Sequence, residues 1–221
     1  LLLSKIVKFV SLHAIKTEVS EFMWQKLLVS GLLMASMLCA AQPKDDGSQI
    51  QADNYYPRVK LETSMGDIVV ELNRSRAPIA VNNFLRYSVK RSYEGTIFHR
   101  VIADFVVQGG GYDEEFAELP SYGYLFNESG NGLKNQKYSI AMARQNDPHS
   151  ANRQFFFNMN DNESLDPGRH WGYTVFGTVV EGYETLDKIA LVKTDTDPTF
   201  GWPDVPVEKV VLKRVVILPA Q

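Results

Sequence analysis

Apolar and polar residues alternate from position 59 to 63, with Val59, Leu61 and Thr63 on one parity and Lys60 and Glu62 on the other. Ser64-Met65-Gly66-Asp67 then supplies a turn and 68–72 a second apolar run, which predicts a β-hairpin. The period changes after Pro78. Val81, Phe84, Leu85, Ser88 and Val89 recur at helical spacing behind a proline suited to a first turn, which predicts a helix with one apolar face. Residues 113–137 are rich in turn formers, with bends at Asn127-Glu128 and Asn131-Gly132, and read as a long ordered loop. Beyond them 138–142, 154–158, 173–180 and 207–218 read as strands rich in β-branched and aromatic side chains, and 183–192 as a second helix after Gly182. Several strands, two helices and no repeat predict a mainly β, antiparallel domain; the pattern does not choose between a barrel and a sandwich.

Residues 98–111, FHRVIADFVVQGGG, carry the candidate chemistry. Ile97, His99 and Val101 share one parity and Phe98, Arg100 and Ile102 the other, so an extended strand sets Arg100 on the face opposite His99. An arginine in such a run is most often an edge or snorkelling side chain. Here Phe105, Val106 and Gln108 follow on what reads as the next strand, and Gly109, Gly110 and Gly111 permit close backbone approach. The glycines are not a phosphate loop, since no Gly-Lys-Ser/Thr follows. His99 with Ser139 or Ser150 would imitate a hydrolase, but there is no Gly-x-Ser-x-Gly elbow, and its parity places it as a satisfied core histidine.

FHRVIADFVVQGGG resembles the signature of the cyclophilins, the cyclosporin-binding peptidyl-prolyl cis/trans isomerases, and Ala141-Met142-Ala143 with Gln154-Phe155-Phe156 resembles their second half-site. The resemblance runs from about Val59 to Ile217. It implies a closed eight-stranded antiparallel β-barrel capped by two α-helices, acting on proline-containing polypeptides, with bacterial exported members as the nearest type. Carried over position by position, Arg100 would be the catalytic arginine and Gln108 would hold the substrate carbonyl and orient Arg100. Phe105, Val106, Phe156 and Leu165 would line the proline pocket. Ala143 and Arg144 would lie along the neighbouring substrate backbone, with Gln154 and Tyr173 completing the substrate-binding set. Three positions depart from the family pattern: Val106 for the usual methionine, Arg144 for the common asparagine, and Ser164 where the family has tryptophan or phenylalanine. Loss of that aromatic wall predicts surviving isomerase activity with weak cyclosporin binding. The alternative is a non-catalytic proline-peptide binding or chaperone module on the same barrel.

A chain of 221 residues, 44% hydrophobic and 22% charged, holds one substantial core. Its net charge is −3, and beyond residue 41 there are 19 basic against 24 acidic residues, which argues against nucleic acid as a partner. Residues 23–41, MWQKLLVSGLLMASMLCAA, have Lys26 near the start, an apolar run and small residues at the end, the pattern of a secretory leader cleaved after Ala41. Periplasmic export is therefore expected. Leu38 stands where a lipid-modified Cys39 would want a small residue, which argues against a lipid anchor. The expected organisation is an upstream extension at 1–22, the leader at 23–41, a flexible polar linker at 42–57 and the isomerase domain at 58–221. Cys39 is the single cysteine, and His99, His149 and His170 match no zinc spacing, so no disulfide, metal or cofactor is implied and a monomer is expected.

Overall fold

The computed structural model describes residues 45–220. The expected extension and leader lie outside the described residues. The hairpin forms as read, with β1 at Arg58–Thr63 and β2 at Gly66–Leu72 paired in register from Arg58↔Glu71 to Thr63↔Gly66. Strands β3 (Thr96–Ile97), β4 (Arg100–Ile102), β5 (Val106–Gly109), β6 (Ser139–Met142), β7 (Phe155–Asn158), β8 (Val175–Glu181) and β11 (Val211–Ile217) join it. Together they make a nine-stranded antiparallel sheet in the order β3-β11-β1-β2-β8-β6-β7-β5-β4. Short strands β9 (Thr194–Asp195) and β10 (Val205–Pro206) pair separately.

The expectation of a closed eight-stranded barrel is corrected in its closure. The edge strands β3 and β4 are not laddered to each other; they are consecutive in the chain, with only Phe98 and His99 between them. One short run therefore serves both edges, pairing with β11 through Ile97↔Val211 and with β5 through Arg100↔Gln108. The sheet is curled into a barrel-like wall whose seam is closed by the chain itself.

Helix α1 (Pro78–Val89) packs against β11, and α2 (Tyr183–Ala190) against β2, β4 and β5. The first turn of α1 carries no acidic residue; its Ile79 and Ala80 N–H groups donate instead to the Glu128 carboxylate at 3.1 and 2.9 Å. Burial pushes the Glu128 carboxyl up, with those two hydrogen bonds opposing it. Val81, Phe84, Leu85 and Ser88 are buried as the spacing predicts, and the Ser88 hydroxyl donates to the Phe84 carbonyl at 2.8 Å. Val89 is the exception: at the helix's last position it is 55% exposed. Helix α2 starts at Gly182, whose φ of 84° and lack of a Cβ let it sit against Asp67; a methyl there would lie 2.2 Å from the Asp67 carbonyl oxygen.

The segment 45–57 is built into the domain and is not a flexible linker. Arg74, 7% exposed, donates from Nη1 to the carbonyls of Gln51 (2.5 Å) and Asn54 (2.9 Å), from Nη2 to Ile50 (2.6 Å), and from Nε to Asn82 Oδ1 (2.9 Å). Ile50 packs against the main core, and Gln51 Nε2 donates to the Leu218 carbonyl at 2.7 Å. A buried guanidinium needs acceptors, and the polar backbone of this segment supplies them.

Inside the curl, Phe84 meets Tyr93, Phe155 and Phe176 at ring-centroid distances of 5.0, 5.4 and 5.5 Å. Such pairs add to the burial of their area. His99 is buried apart from these rings, 7% exposed and edge-on to Tyr112 at 4.7 Å, but its Nδ1 finds no hydrogen-bond partner, so it is a buried histidine that is not fully satisfied. Burial pushes the imidazole down to about 4, the Ile97 backbone opposing and the Arg100 charge reinforcing the shift. The unfolded chain takes up this proton near 6.5. The native state thus binds fewer protons below that pH, and the stability His99 contributes when neutral is complete above 6.5 and lost as pH falls towards 4. The loss amounts to about 3 kcal/mol. Urea unfolding at pH 7 and pH 4.5 is expected to show a smaller difference in His99→Phe than in the wild type; an equal difference would refute this.

Candidate active site

Period-two alternation sorts each wall strand into an inner and an outer set. Along β7, Phe155 and Phe157 belong to the interior core, while Phe156 between them belongs to a second cluster on the outer face with Val106, Ala141 and Val175. Val107, Ile140, Met142 and Phe176 are the inner neighbours of that outer set. Phe105, Leu133, Ala143, Leu165 and Tyr173, partly exposed, pack around it. Six residues expected along the substrate, Phe105, Val106, Ala143, Phe156, Leu165 and Tyr173, are thus gathered in one apolar patch.

The register aligns the polar groups with it. Arg100 on β4 lies opposite Gln108 on β5, Gln108 opposite Phe156 on β7, Phe156 opposite Ala141 on β6, and Ala141 opposite Val175 on β8. One row crossing five strands therefore runs from a cation, through an amide, onto an apolar floor.

Arg100 is 37% exposed at its side chain and donates no hydrogen bond to any described residue. Its charged neighbour is Asp204, with Nε 4.0 Å from Oδ2 and the carboxylate itself 38% exposed. The Asp204 carbonyl accepts from Val101 N at 2.9 Å, which brings this loop beside β4. Sequence reading missed Asp204, because nothing local in the sequence ties position 204 to position 100. Two half-exposed groups at this separation form a weak pair, and the guanidinium keeps its remaining donors.

Gln108 Nε2 donates to Gln154 Oε1 at 2.9 Å. Gln154 lies flat over Gly111, where a Cβ would stand 2.5 Å from Gln154 Nε2, so only glycine leaves it this space. Beneath it Arg153, 3% exposed and also missed from the sequence, donates to the carbonyls of Gly110 (2.7 Å) and Pro120 (2.8 Å) and to that of Ser92. Tyr87 and Tyr93 flank its guanidinium carbon at 5.1 and 5.9 Å. Burial lowers the Arg153 pKa.

The rim of the patch is held by buried asparagines. Asn162 Nδ2 donates to Asn158 Oδ1 (2.7 Å) and to the Phe105 carbonyl (2.9 Å), Asn158 Nδ2 to Asn135 Oδ1 (3.2 Å), and Asn135 Nδ2 to the Leu165 carbonyl (3.1 Å). This chain of bonds ties Phe105 on one side of the patch to Leu165 on the other.

Arg144 stands at the edge of the patch beside Tyr173. It lies with its guanidinium carbon 4.5 Å from the Tyr173 ring, and its donors go to its own surroundings: Nη1 to Gln145 O (2.8 Å), Nη2 to Trp171 O (2.9 Å) and Nε to Gly172 O (3.3 Å). The Ala143 N–H is likewise committed, to Gln154 O at 2.9 Å. Ser164 is exposed in the short turn Glu163–Leu165, and the Trp171 ring packs on Phe126 and His149. The hydroxyls of Ser139 and Ser150 donate to the Gln136 and Asp147 carbonyls, which leaves the hydrolase arrangement without a nucleophile bound to His99.

The site thus joins a partly exposed arginine and an amide to an apolar patch on the outer face of an antiparallel, barrel-like wall. The family model for cyclophilin type peptidyl-prolyl cis-trans isomerases matches residues 58–217, and the chain belongs to that family. A peptidyl-prolyl cis-trans isomerase of Streptomyces antibioticus is 48% identical over 164 residues, covering 72% of this chain and 98% of its own. Peptidyl-prolyl cis-trans isomerase B of Escherichia coli is 41% identical over 163 residues, covering 72% and 98%. Among solved structures, a cyclophilin type isomerase of Cryptosporidium parvum superposes with a TM-score of 0.62 at 27% identity, covering 76% of this chain and all of its own. The same isomerase solved in the presence of the dipeptide Ala-Pro gives 0.61, covering 74% and 99%.

Proposed function

We propose that the outer row of the wall is the active site of a peptidyl-prolyl cis/trans isomerase and that Arg100 is its catalytic group. The observation that carries this is the register, which sets Arg100, Gln108 and Phe156 opposite one another on adjacent strands. Rotating a peptide bond meets a barrier of about 18–20 kcal/mol because resonance holds it flat. At the top of that barrier the nitrogen is pyramidal and its lone pair can accept a hydrogen bond that the planar amide cannot. A guanidinium donating to that lone pair binds the twisted state more tightly than the ground state, which is what lowers a barrier. Proline sits on Phe156 with Phe105, Val106 and Leu165 around it, Gln108 holds the substrate carbonyl, and Tyr173 closes the far side. No bond breaks and no proton is transferred, so neither a nucleophile nor a cofactor has a step to perform.

The test is two-dimensional NMR exchange on an Ala-Pro peptide. With substoichiometric protein the cis and trans signals are expected to exchange well faster than the uncatalysed tens to hundreds of seconds. Binding of the peptide with uncatalysed exchange would leave the chaperone-like alternative in place. The leader pattern at 23–41 supports action on exported, folding polypeptides, and N-terminal sequencing of the exported form checks that part.

Cyclosporin is expected to bind weakly, since exposed Ser164 offers neither an aromatic wall nor an indole donor. Ser164→Trp should tighten it by roughly tenfold, the return from burying part of one large ring. Calorimetric titration of both proteins checks this; equal affinities would remove Ser164 as the cause.

A further inference from the structure

Beyond Arg144 the apolar patch does not end. Phe156 meets Tyr173 edge-on at 5.6 Å, the Arg144 guanidinium stacks on Tyr173 at 4.5 Å, and Arg144 in turn holds the Trp171 carbonyl at 2.9 Å. Trp171 then packs edge-on against Phe126 and His149 at 5.9 and 5.2 Å, while Phe126 and His149 lie stacked at 4.7 Å and 15°. Phe126 is 60% and Trp171 45% exposed. Exposed rings in a contiguous patch, continuous with a binding pocket, mark a contact surface more than isolated ones do.

These rings are fixed in place. Asn127, 3% exposed and next to Phe126, ties its own loop to the two that carry the other rings: its N–H donates to His149 Nδ1 (3.1 Å), and its Nδ2 donates to the Pro148 and Gly172 carbonyls (3.0 Å each). A surface preorganised this way loses little freedom when covered. The guanidinium of Arg144 at the junction disfavours a basic side chain there, even though aromatic faces alone would attract one.

We propose that Phe126, His149 and Trp171 form a secondary subsite for an apolar or aromatic side chain of the same polypeptide whose proline occupies the Phe156 pocket. The subsite rests on the pocket assignment made above. An extended chain covers about 3.3 Å per residue, so the side chain it takes lies within about five residues of the proline. Arg144, which the family resemblance would set along the substrate backbone, acts here as the hinge post between the two pockets.

The experiment uses the full chain and a set of peptides with one Ala-Pro, each carrying a single Phe at one of the positions two to six residues before or after it, with an otherwise identical all-Ala control. Dissociation constants are read from NMR titration, following the Trp171 indole N–H, assigned by its loss in Trp171→Phe. At least one Phe position is expected to tighten binding about fivefold over the control and to shift the Trp171 signal, and the gain should fall to within twofold in Phe126→Ala. No gain at any position, or an equal gain from Lys in place of Phe, would overturn the proposal. So would a Trp171 shift driven by protein concentration alone, which would assign the rings to a second copy of the chain. Arg100→Ala separates the two readings: it should stop the exchange of the bound peptide while keeping the Phe preference. Normal exchange without a preference refutes the subsite alone, and a preference without wild-type exchange refutes the catalytic reading alone.

Discussion

Arg100→Ala is expected to lower kcat/KM for an Ala-Pro peptide by about 10²–10³-fold, the usual loss when one donor to a developing charge or lone pair is removed. Nearly all of it should appear in kcat, because the donated bond exists only at the twisted amide and the planar substrate is held by Phe156 and its neighbours. Arg100→Lys should recover little. Lysine places a hydrated point charge where a planar fork is needed, on a stem of different reach. Stability should hardly move: the side chain is 37% exposed and its ion-pair partner among the described residues is 4.0 Å away, so the change is within about 0.5 kcal/mol. Line-shape or exchange spectroscopy on the variant, with its melting curve, checks both halves. An Arg100→Ala protein as fast as the wild type would show that the apolar floor alone catalyses, and the assignment of Arg100 would fail.

The largest effect on the fold is expected from Arg153→Met. The side chain stays unbranched but is shorter, apolar and uncharged, and the carbonyls of Gly110, Pro120 and Ser92 lose their common donor inside the protein. A buried acceptor left unsatisfied costs about 1–3 kcal/mol, partly offset by relief of the guanidinium's own desolvation, so a net loss of about 3 kcal/mol is expected. For a domain of this size that is a drop in Tm of roughly 6–12 °C. Activity should fall too, at temperatures where the variant is folded, because Arg153 holds the Gly110 carbonyl and the next residue, Gly111, is the one Gln154 lies against as it reaches Gln108. Urea unfolding with an unchanged m-value checks the first claim. A midpoint within about 0.2 M of the wild type would mean that water replaces the guanidinium at all three carbonyls.

Much of this arrangement is legible in the sequence, because it rests on local periods. Alternation at Val59 and Leu61 marks the hairpin and Pro78 marks the start of α1, whereas the parity read across 97–102 fails at 98–99, which lie outside any strand, so that Phe98 and Val101 both reach the interior core. The resemblance adds roles that parity cannot supply, and the pocket residues do come together. What escapes has a common cause: contacts between residues far apart in sequence. Segment 45–57 reads as a linker since it is polar, yet Arg74, some twenty positions later, needs its carbonyls. Asp204 approaches Arg100 across more than a hundred residues. Strands β9 and β10 are two residues each, too short to show a period. Val89 fits the helical stripe but falls on the last position of α1, where the helix no longer faces the core. The Trp171 and Gly172 carbonyls that hold Arg144 donors lie 27 and 28 positions along the chain.

In β7 three phenylalanines in succession answer to two sides of one wall, Phe155 and Phe157 to the interior and Phe156 to the outer pocket. On the proposed assignment of the outer patch, client preference and heat tolerance are therefore written on interleaved positions. On that assignment a lineage, or an engineer, can exchange side chains at 106 and 156 to suit new polypeptides while the packing that resists unfolding, carried by Val107, Phe155 and Phe157, stays as it was.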